Sequence, residues 1–238
     1  MLTLHRARRG VHLTDTTDPA LTGDSGAAVG EGGVPAGPRG AADEVSGTTI
    51  DKSTLTTGQN HPLIGDVLIG DSGVVVDGSH IAAIGPYDEL ATAYGDRARL
   101  REWDGTLTPG RHEPHGAALL EAAYHPDPRE ADELGTEPLT GEALAALHMT
   151  EARWGASARR GLQRLLATGT TALTGPFTRP AVRTAVQRSG LEELPTEELP
   201  TPRPRTLHVG GPATFAIVAP DGTTLATVLA GRLLHRRH

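Results

Sequence analysis

Two histidines three residues apart, His112 and His115, follow a Thr108-Pro109-Gly110 turn. Imidazoles delivered from a Pro-Gly turn at the end of a strand-like run are donors that a divalent metal such as zinc takes. Pro114 stands between them and argues against the helix that would bring both onto one face. The spacing therefore predicts exposed or capping histidines at the start of a loop. A second cluster, His125, Asp127, Glu130, Asp132 and Glu133, lacks the oxygen spacing and turn glycine of a calcium loop and reads as a solvated acidic loop. His148 follows a short helical stretch, where it would cap the C-terminus. Gly169-Thr170-Thr171 and Gly210-Gly211-Pro212 are glycine turns without the Gly-Lys-Ser/Thr end of a phosphate cradle. No Gly-x-Ser-x-Gly follows a strand. There is no cysteine, which excludes disulfides, thiolate metal sites and cysteine nucleophiles. Lys52 is the single lysine, so no other lysine can serve as Schiff-base nucleophile, general base or carbamylated metal bridge. These residues assign no catalytic group and no resident metal or cofactor.

Composition narrows the classes further. The 238-residue chain carries a formal charge of −7, and no dense basic run precedes its last few residues, which disfavours nucleic acid as a partner. Aromatic residues make up 3%, so the core must be built from Leu, Val, Ile and Ala. No apolar run approaches the ~18 residues of a membrane span. The opening MLTLHRARRG has no apolar segment of the kind a signal peptide needs. The expectation is a soluble, cytoplasmic protein without a membrane partner.

The elements that must position these residues alternate in kind. Residues 1–13 start with alternating Leu2 and Leu4 and predict one edge strand. Residues 14–60 are rich in Gly, Thr, Ala, Asp and Pro and show no period, so they are expected to be a disordered insertion. Order resumes with Val67-Leu68-Ile69 and Val74-Val75-Val76. Asp77-Gly78 before Ile81 predicts a hairpin with a type I′ turn, both turn residues at positive φ. A short helix over 86–94 and a strand-like run from Leu100 to Leu107 follow. Thr150 predicts the N-cap of a longer helix with Trp154, Ala158, Leu162, Leu165 and Leu166 on one face, ended by Gly169. Thr170–Thr174 reads as a buried strand and Pro180 as the start of another helix, which is α/β material. Residues 192–206 read as a Pro/Glu linker. The end returns to β, with strands from Thr214, Thr224 and Gly231, and is expected to pair with the N-terminal β unit.

The order of these motifs resembles the amidohydrolase superfamily, specifically its imidazolonepropionase-like and aminodeoxyfutalosine deaminase-like branch. The matching residues are Val74-Val75-Val76-Asp77-Gly78, Ile81-Ala82-Ala83-Ile84-Gly85-Pro86, Thr106-Leu107-Thr108-Pro109-Gly110 and Leu166-Ala167-Thr168-Gly169-Thr170-Thr171. Leu207-His208-Val209-Gly210-Gly211-Pro212-Ala213 and Thr227-Val228-Leu229-Ala230-Gly231-Arg232 follow near the end. The resemblance implies a mixed β and α/β fold: a composite β-sandwich built from both chain ends, and a (β/α) barrel here reduced to a fragment. On that pattern residues 61–110 and 207–238 form the two parts of the composite domain, and residues 111–191 the barrel fragment. The family's chemistry implies a divalent metal, held by a His-x-His pair and later His and Asp ligands, that activates water against a C–N bond. Aligned from Pro109-Gly110, the first histidine position falls on His115 and the second on Ala117. The later ligands would lie where only the Pro/Glu linker stands. The resemblance thus implies a non-catalytic paralogue with a binding or structural role. The alternative is a metal-dependent C–N hydrolase completed by an oligomer or partner chain that covers the incomplete barrel.

Overall fold

The β-branched run at Val74–Val76 forms the interior of the first sheet, because Val75 points to one face and Val74 and Val76 to the other, all three buried. In the computed structural model, whose described residues are 1–14, 63–64, 67–196, 203 and 205–237, fourteen strands form three sheets. The strands are β1 (Leu2–Ala7), β2 (Gly10–His12), β3 (Leu63–Ile64), β4 (Val67–Ile69), β5 (Ser72–Asp77), β6 (His80–Pro86) and β7 (Arg99–Trp103). They continue as β8 (Thr106–Pro109), β9 (Arg111–Glu113), β10 (Thr170–Thr174), β11 (Glu192–Leu194), β12 (Phe215–Val218), β13 (Thr224–Leu229) and β14 (Arg232–Arg236). The helices are α1 (Tyr87–Tyr94), α2 (Gly116–Glu121), α3 (Ala131–Leu134), α4 (Gly141–Ala145), α5 (Glu151–Ala167) and α6 (Pro180–Ser189).

The first sheet runs β6-β5-β1-β7 and the second β14-β13-β12-β8-β2-β4-β3. Both chain ends enter the second sheet, where β8 lies between β2 and β12, so the expected pairing of the ends holds. One apolar cluster joins the two sheets: Ala7, Val74, Val76 and Trp103 from the first meet Val11, Leu107, Phe215 and Val228 from the second. The third sheet is parallel, β11-β10-β9. Helices α2, α5 and α6 pack on it around Leu120, Trp154, Leu162, Leu173 and Val186.

Several expectations need correction. Residues 1–13 give two strands, and neither is an edge: β1 lies between β5 and β7, and β2 between β4 and β8. The run from Leu100 to Leu107 breaks at Asp104-Gly105 into β7 and β8, which belong to different sheets. Gly105 is needed there because a Cβ would meet the Val218 carbonyl oxygen at 2.6 Å. The Asp77-Gly78 hairpin closes instead through Gly78-Ser79, since Asp77 pairs with His80. Only Gly78 has positive φ (59°), the arrangement of a type II′ turn. The turn with two positive φ values is Ala230-Gly231, between β13 and β14. The linker over 192–206 begins with a strand, because the buried β10 needs a partner for the backbone groups on its second side. The insertion expected over 14–60 lies, apart from Thr14, outside the described residues.

Helix ends follow the sequence. The Thr150 hydroxyl accepts the Arg153 N–H at 3.2 Å, and Gly169 after α5 and Gly190 after α6 are both left-handed.

Candidate functional site

The two leading histidines end in different environments. His112 lies inside β9, opposite Ala172 of β10, and is 7% exposed. Its Nδ1 accepts the Arg203 backbone N–H at 2.9 Å. In the neutral ring the proton therefore sits on Nε2, which donates to Thr174 Oγ1 at 2.9 Å. The expectation of an exposed or capping residue fails for His112, because strand alternation turns it inward between Arg111 and Glu113. His115 does begin a loop-to-helix transition: it is exposed, directly precedes α2, and its backbone N–H donates to Glu113 Oε1 at 2.7 Å. Ala117 lies on α2 and packs on the core beneath it.

The close approach of β10 explains the Pro109-Gly110 turn. A Cβ on Gly110 would lie 2.1 Å from Thr171 Oγ1, so only glycine lets the first two parallel strands start side by side.

The acidic cluster is also not simply solvated. Tyr124 OH donates to Glu130 Oε2, which also accepts the Asp127 N–H at 3.0 Å. Arg153 donates to Glu130 Oε1 at 2.8 Å and to Tyr124 OH at 3.1 Å. Arg160, two turns further along α5, donates to the His125 carbonyl at 2.8 Å and pairs with Asp127 at 3.2 Å. The donated Tyr124 hydrogen bond, more than any other contact, holds the Glu130 carboxyl below its ordinary range, whereas burial raises the Tyr124 phenol. His125 itself is buried, donates from Nε2 to the Leu119 carbonyl at 3.0 Å, and is held below its ordinary range mainly by burial. Asp132 and Glu133 remain exposed on α3. The signal for this network was available: Arg153 and Arg160 are seven apart and share a helix face. His148 is exposed, and its carbonyl accepts from Arg153 at 3.3 Å.

The sequence reading missed a groove of about 550 Å³ beside α4 and the start of α5. Leu144, Leu147, Met149 and Trp154 line it, with Glu121 and Arg179. The Glu121 carboxylate accepts from Thr178 Oγ1 at 2.8 Å and from the Arg179 backbone at 2.6 Å, at the start of α6. The Arg179 guanidinium lies 4.2 Å from the centre of the Trp154 ring. Trp154 looked like a core residue by its spacing. It is that, and it also forms a wall of the groove.

A zinc site needs at least three protein ligands in fixed geometry. Among the described residues no three of His, Asp and Glu converge. His112 has both nitrogens engaged, and His115 stands beside Ala117 rather than a second histidine. Among the described residues these histidines do not form such a ligand set.

Residues 73–96, which span most of β5 with β6 and α1, match the family model of the imidazolonepropionase-like composite domain of bacteria. The resemblance to that family is thereby shown over this segment. No curated protein matches the chain by sequence. Among solved structures the chain is similar to Escherichia coli guanine deaminase, with 13% identity over 82% of this chain and 35% of that one and a TM-score of 0.39. It is similar to the triazine hydrolase of Arthrobacter aurescens at 14% identity, over 82% of this chain and 35% of that one, with a TM-score of 0.39. Aspergillus niger ochratoxinase shows 18% identity over 56% of this chain and 28% of that one, with a TM-score of 0.36. The chain spans about a third of the length of these proteins. Among the described residues no helix is long and apolar enough to cross a membrane.

Proposed function

We propose that this chain is an amidohydrolase-related protein with a binding or structural role and no hydrolytic centre of its own. In this reading the first two sheets are a composite β-sandwich, and residues 111–194 are a truncated fragment of a (β/α) barrel. The family match over 73–96 and the entry of both chain ends into one sheet support the first part. Parallel β9, β10 and β11 with α5 and α6 support the second. The observation that carries the functional part is the histidine pattern after Pro109-Gly110. His112 uses both ring nitrogens as a structural pin, and Ala117 stands where the family resemblance would put the second ligand. The groove at Trp154 and Arg179 is the place where a ligand would be bound, its apolar side chains joined by the Arg179 cation and by a Glu121 carboxylate already held by Thr178 and the Arg179 N–H.

Elemental analysis of the purified protein, with its mass in solution, tests this. The expected result is substoichiometric zinc, manganese and iron, unchanged in His115→Ala. One equivalent of metal retained through gel filtration and lost in His115→Ala would overturn it. A second reading, a metal-dependent C–N hydrolase completed by a partner chain, draws on one observation: β9 and β11 each have a single strand neighbour among the described residues. It predicts an oligomer whose metal content depends on assembly.

A further inference from the structure

The groove beside α4 carries one charge of each sign, and the fold keeps the two apart. Glu121, the last residue of α2, and Arg179, directly before α6, both line it, and Leu144, Leu147, Met149 and Trp154 form its apolar side. The two charged residues touch through the backbone only. The Arg179 N–H donates to Glu121 Oε1 at 2.6 Å, and Thr178 Oγ1 donates to Oε2 at 2.8 Å. The Arg179 guanidinium lies instead over the Trp154 ring, 4.2 Å from its centre, in a cation–π contact. Glu151, a second carboxylate near the start of α6, also faces a backbone donor, the Ala181 N–H at 3.4 Å. The ring takes one face of the guanidinium, and that contact uses none of the N–H groups in the guanidinium plane.

We propose that this groove binds an α-amino acid with an apolar side chain, its carboxylate on Arg179 and its ammonium at Glu121. The proposal rests on the reading of the groove as the ligand site and names the class of ligand. Structural roles explain part of the arrangement, since Glu121 caps the first turn of α6 and Arg179 covers Trp154. They do not require both charges to line one cavity. The guanidinium fork matches a carboxylate with two parallel N–H bonds. Each Glu121 oxygen accepts one bond from its neighbours and keeps a lone pair for an ammonium donor. A plain carboxylic acid would bring its charge against Glu121, and a plain amine would bring its charge against Arg179. A zwitterion is complementary to both. Its side chain then lies along Leu144, Leu147 and Met149, in a groove whose 550 Å³ suits a small molecule.

Titration calorimetry of the full chain with L-leucine, isocaproate (leucine without its ammonium) and isoamylamine (leucine without its carboxylate) tests the proposal. Saturable L-leucine binding is expected, with each half-molecule weaker by at least about tenfold, the loss of one charge-assisted contact. Arg179→Gln should weaken L-leucine by a similar factor and leave isoamylamine no weaker. Glu121→Gln, which keeps an acceptor for α6, should weaken L-leucine and leave isocaproate no weaker. Should circular dichroism find that variant unfolded, the three ligands on the native chain still decide. Arg188→Gln, the same charge change in the last turn of α6, should leave L-leucine unchanged. Isocaproate bound as tightly as L-leucine would overturn the zwitterion and leave the groove a ligand site. No binding of any of the three at millimolar concentration, or equal losses in Arg179→Gln and Arg188→Gln, would overturn the proposal. The lack of a hydrolytic centre stands or falls separately, on the metal content.

Discussion

The β core and the β/α segment each bury a histidine, and they hold it by different physics. His5, in the β core, is packed among rings: Trp103 stacks at 6.3 Å between centres and Phe215 meets it edge-on at 5.1 Å. Its Nδ1 has no hydrogen-bond partner, and burial, with Arg101 adding to it, lowers its pKa to about 3. His112, in the β/α segment, is fixed by a bond at each nitrogen. Apolar packing suppresses the charge of a ring, whereas hydrogen bonds fix its orientation and join separate segments. The first makes the β core sensitive to acid. The second ties β9, β10 and the chain near Arg203 together.

Truncation of the cores should show whether the two regions unfold as one. Phe215→Ala in the β core should cost about 3–5 kcal/mol, and Leu173→Ala at the centre of the parallel sheet about 2–5 kcal/mol. Both should shift a single urea transition, because Thr227 of β13 donates to the Leu166 carbonyl of α5 at 2.6 Å. Two separate transitions, each answering to only one variant, would break that picture.

Acid sharpens the contrast between the histidines. The folded pKa of His5 lies below its unfolded value of 6.5, so the unfolded chain binds the extra proton. Stability is complete above pH 6.5, falls by about 1.4 kcal/mol for each pH unit below it, and levels near pH 3. His12, His125 and His235 are lowered by burial too and add in the same direction. Urea midpoints between pH 7 and 4.5 should fall steeply in the native protein and less in His5→Leu. Equal slopes would remove His5 from the account.

Smaller effects concern the β/α segment. Gly110→Ala forces a Cβ against Thr171 and should cost about 1–3 kcal/mol, partly recovered by adding Thr171→Ala. His112→Phe keeps the ring but leaves Thr174 Oγ1 and the Arg203 N–H without it, and should cost about 1–3 kcal/mol. His115→Ala, at an exposed position, should stay within about 0.5 kcal/mol. If thermal melts rank His115 above His112, the assignment of the pin is wrong. Thr150→Ala removes the N-cap of α5 and should cost about 1 kcal/mol.

How much was legible in the chain depended on how local the signal was. The N-cap at Thr150, the left-handed glycine at 169, the apolar face of α5 and the buried strand from Thr170 to Thr174 depend on residues within one or two turns of each other, and the structure has them where the sequence puts them. The match over 73–96 likewise rests on one contiguous hairpin and helix. The environment of His112 was not legible, because Thr174 is 62 and Arg203 91 residues away. The same holds for the groove, assembled from α2, α4, α5 and the turn before α6.

Sequence alone therefore settled which residues follow Pro109-Gly110, His112, His115 and Ala117 among them, and that the chain has no cysteine. Tertiary structure decided what the remaining histidines do. Strand pairing brings residues from distant parts of the chain side by side, as Arg101 beside His5, whereas residue spacing reports only on neighbours within one element.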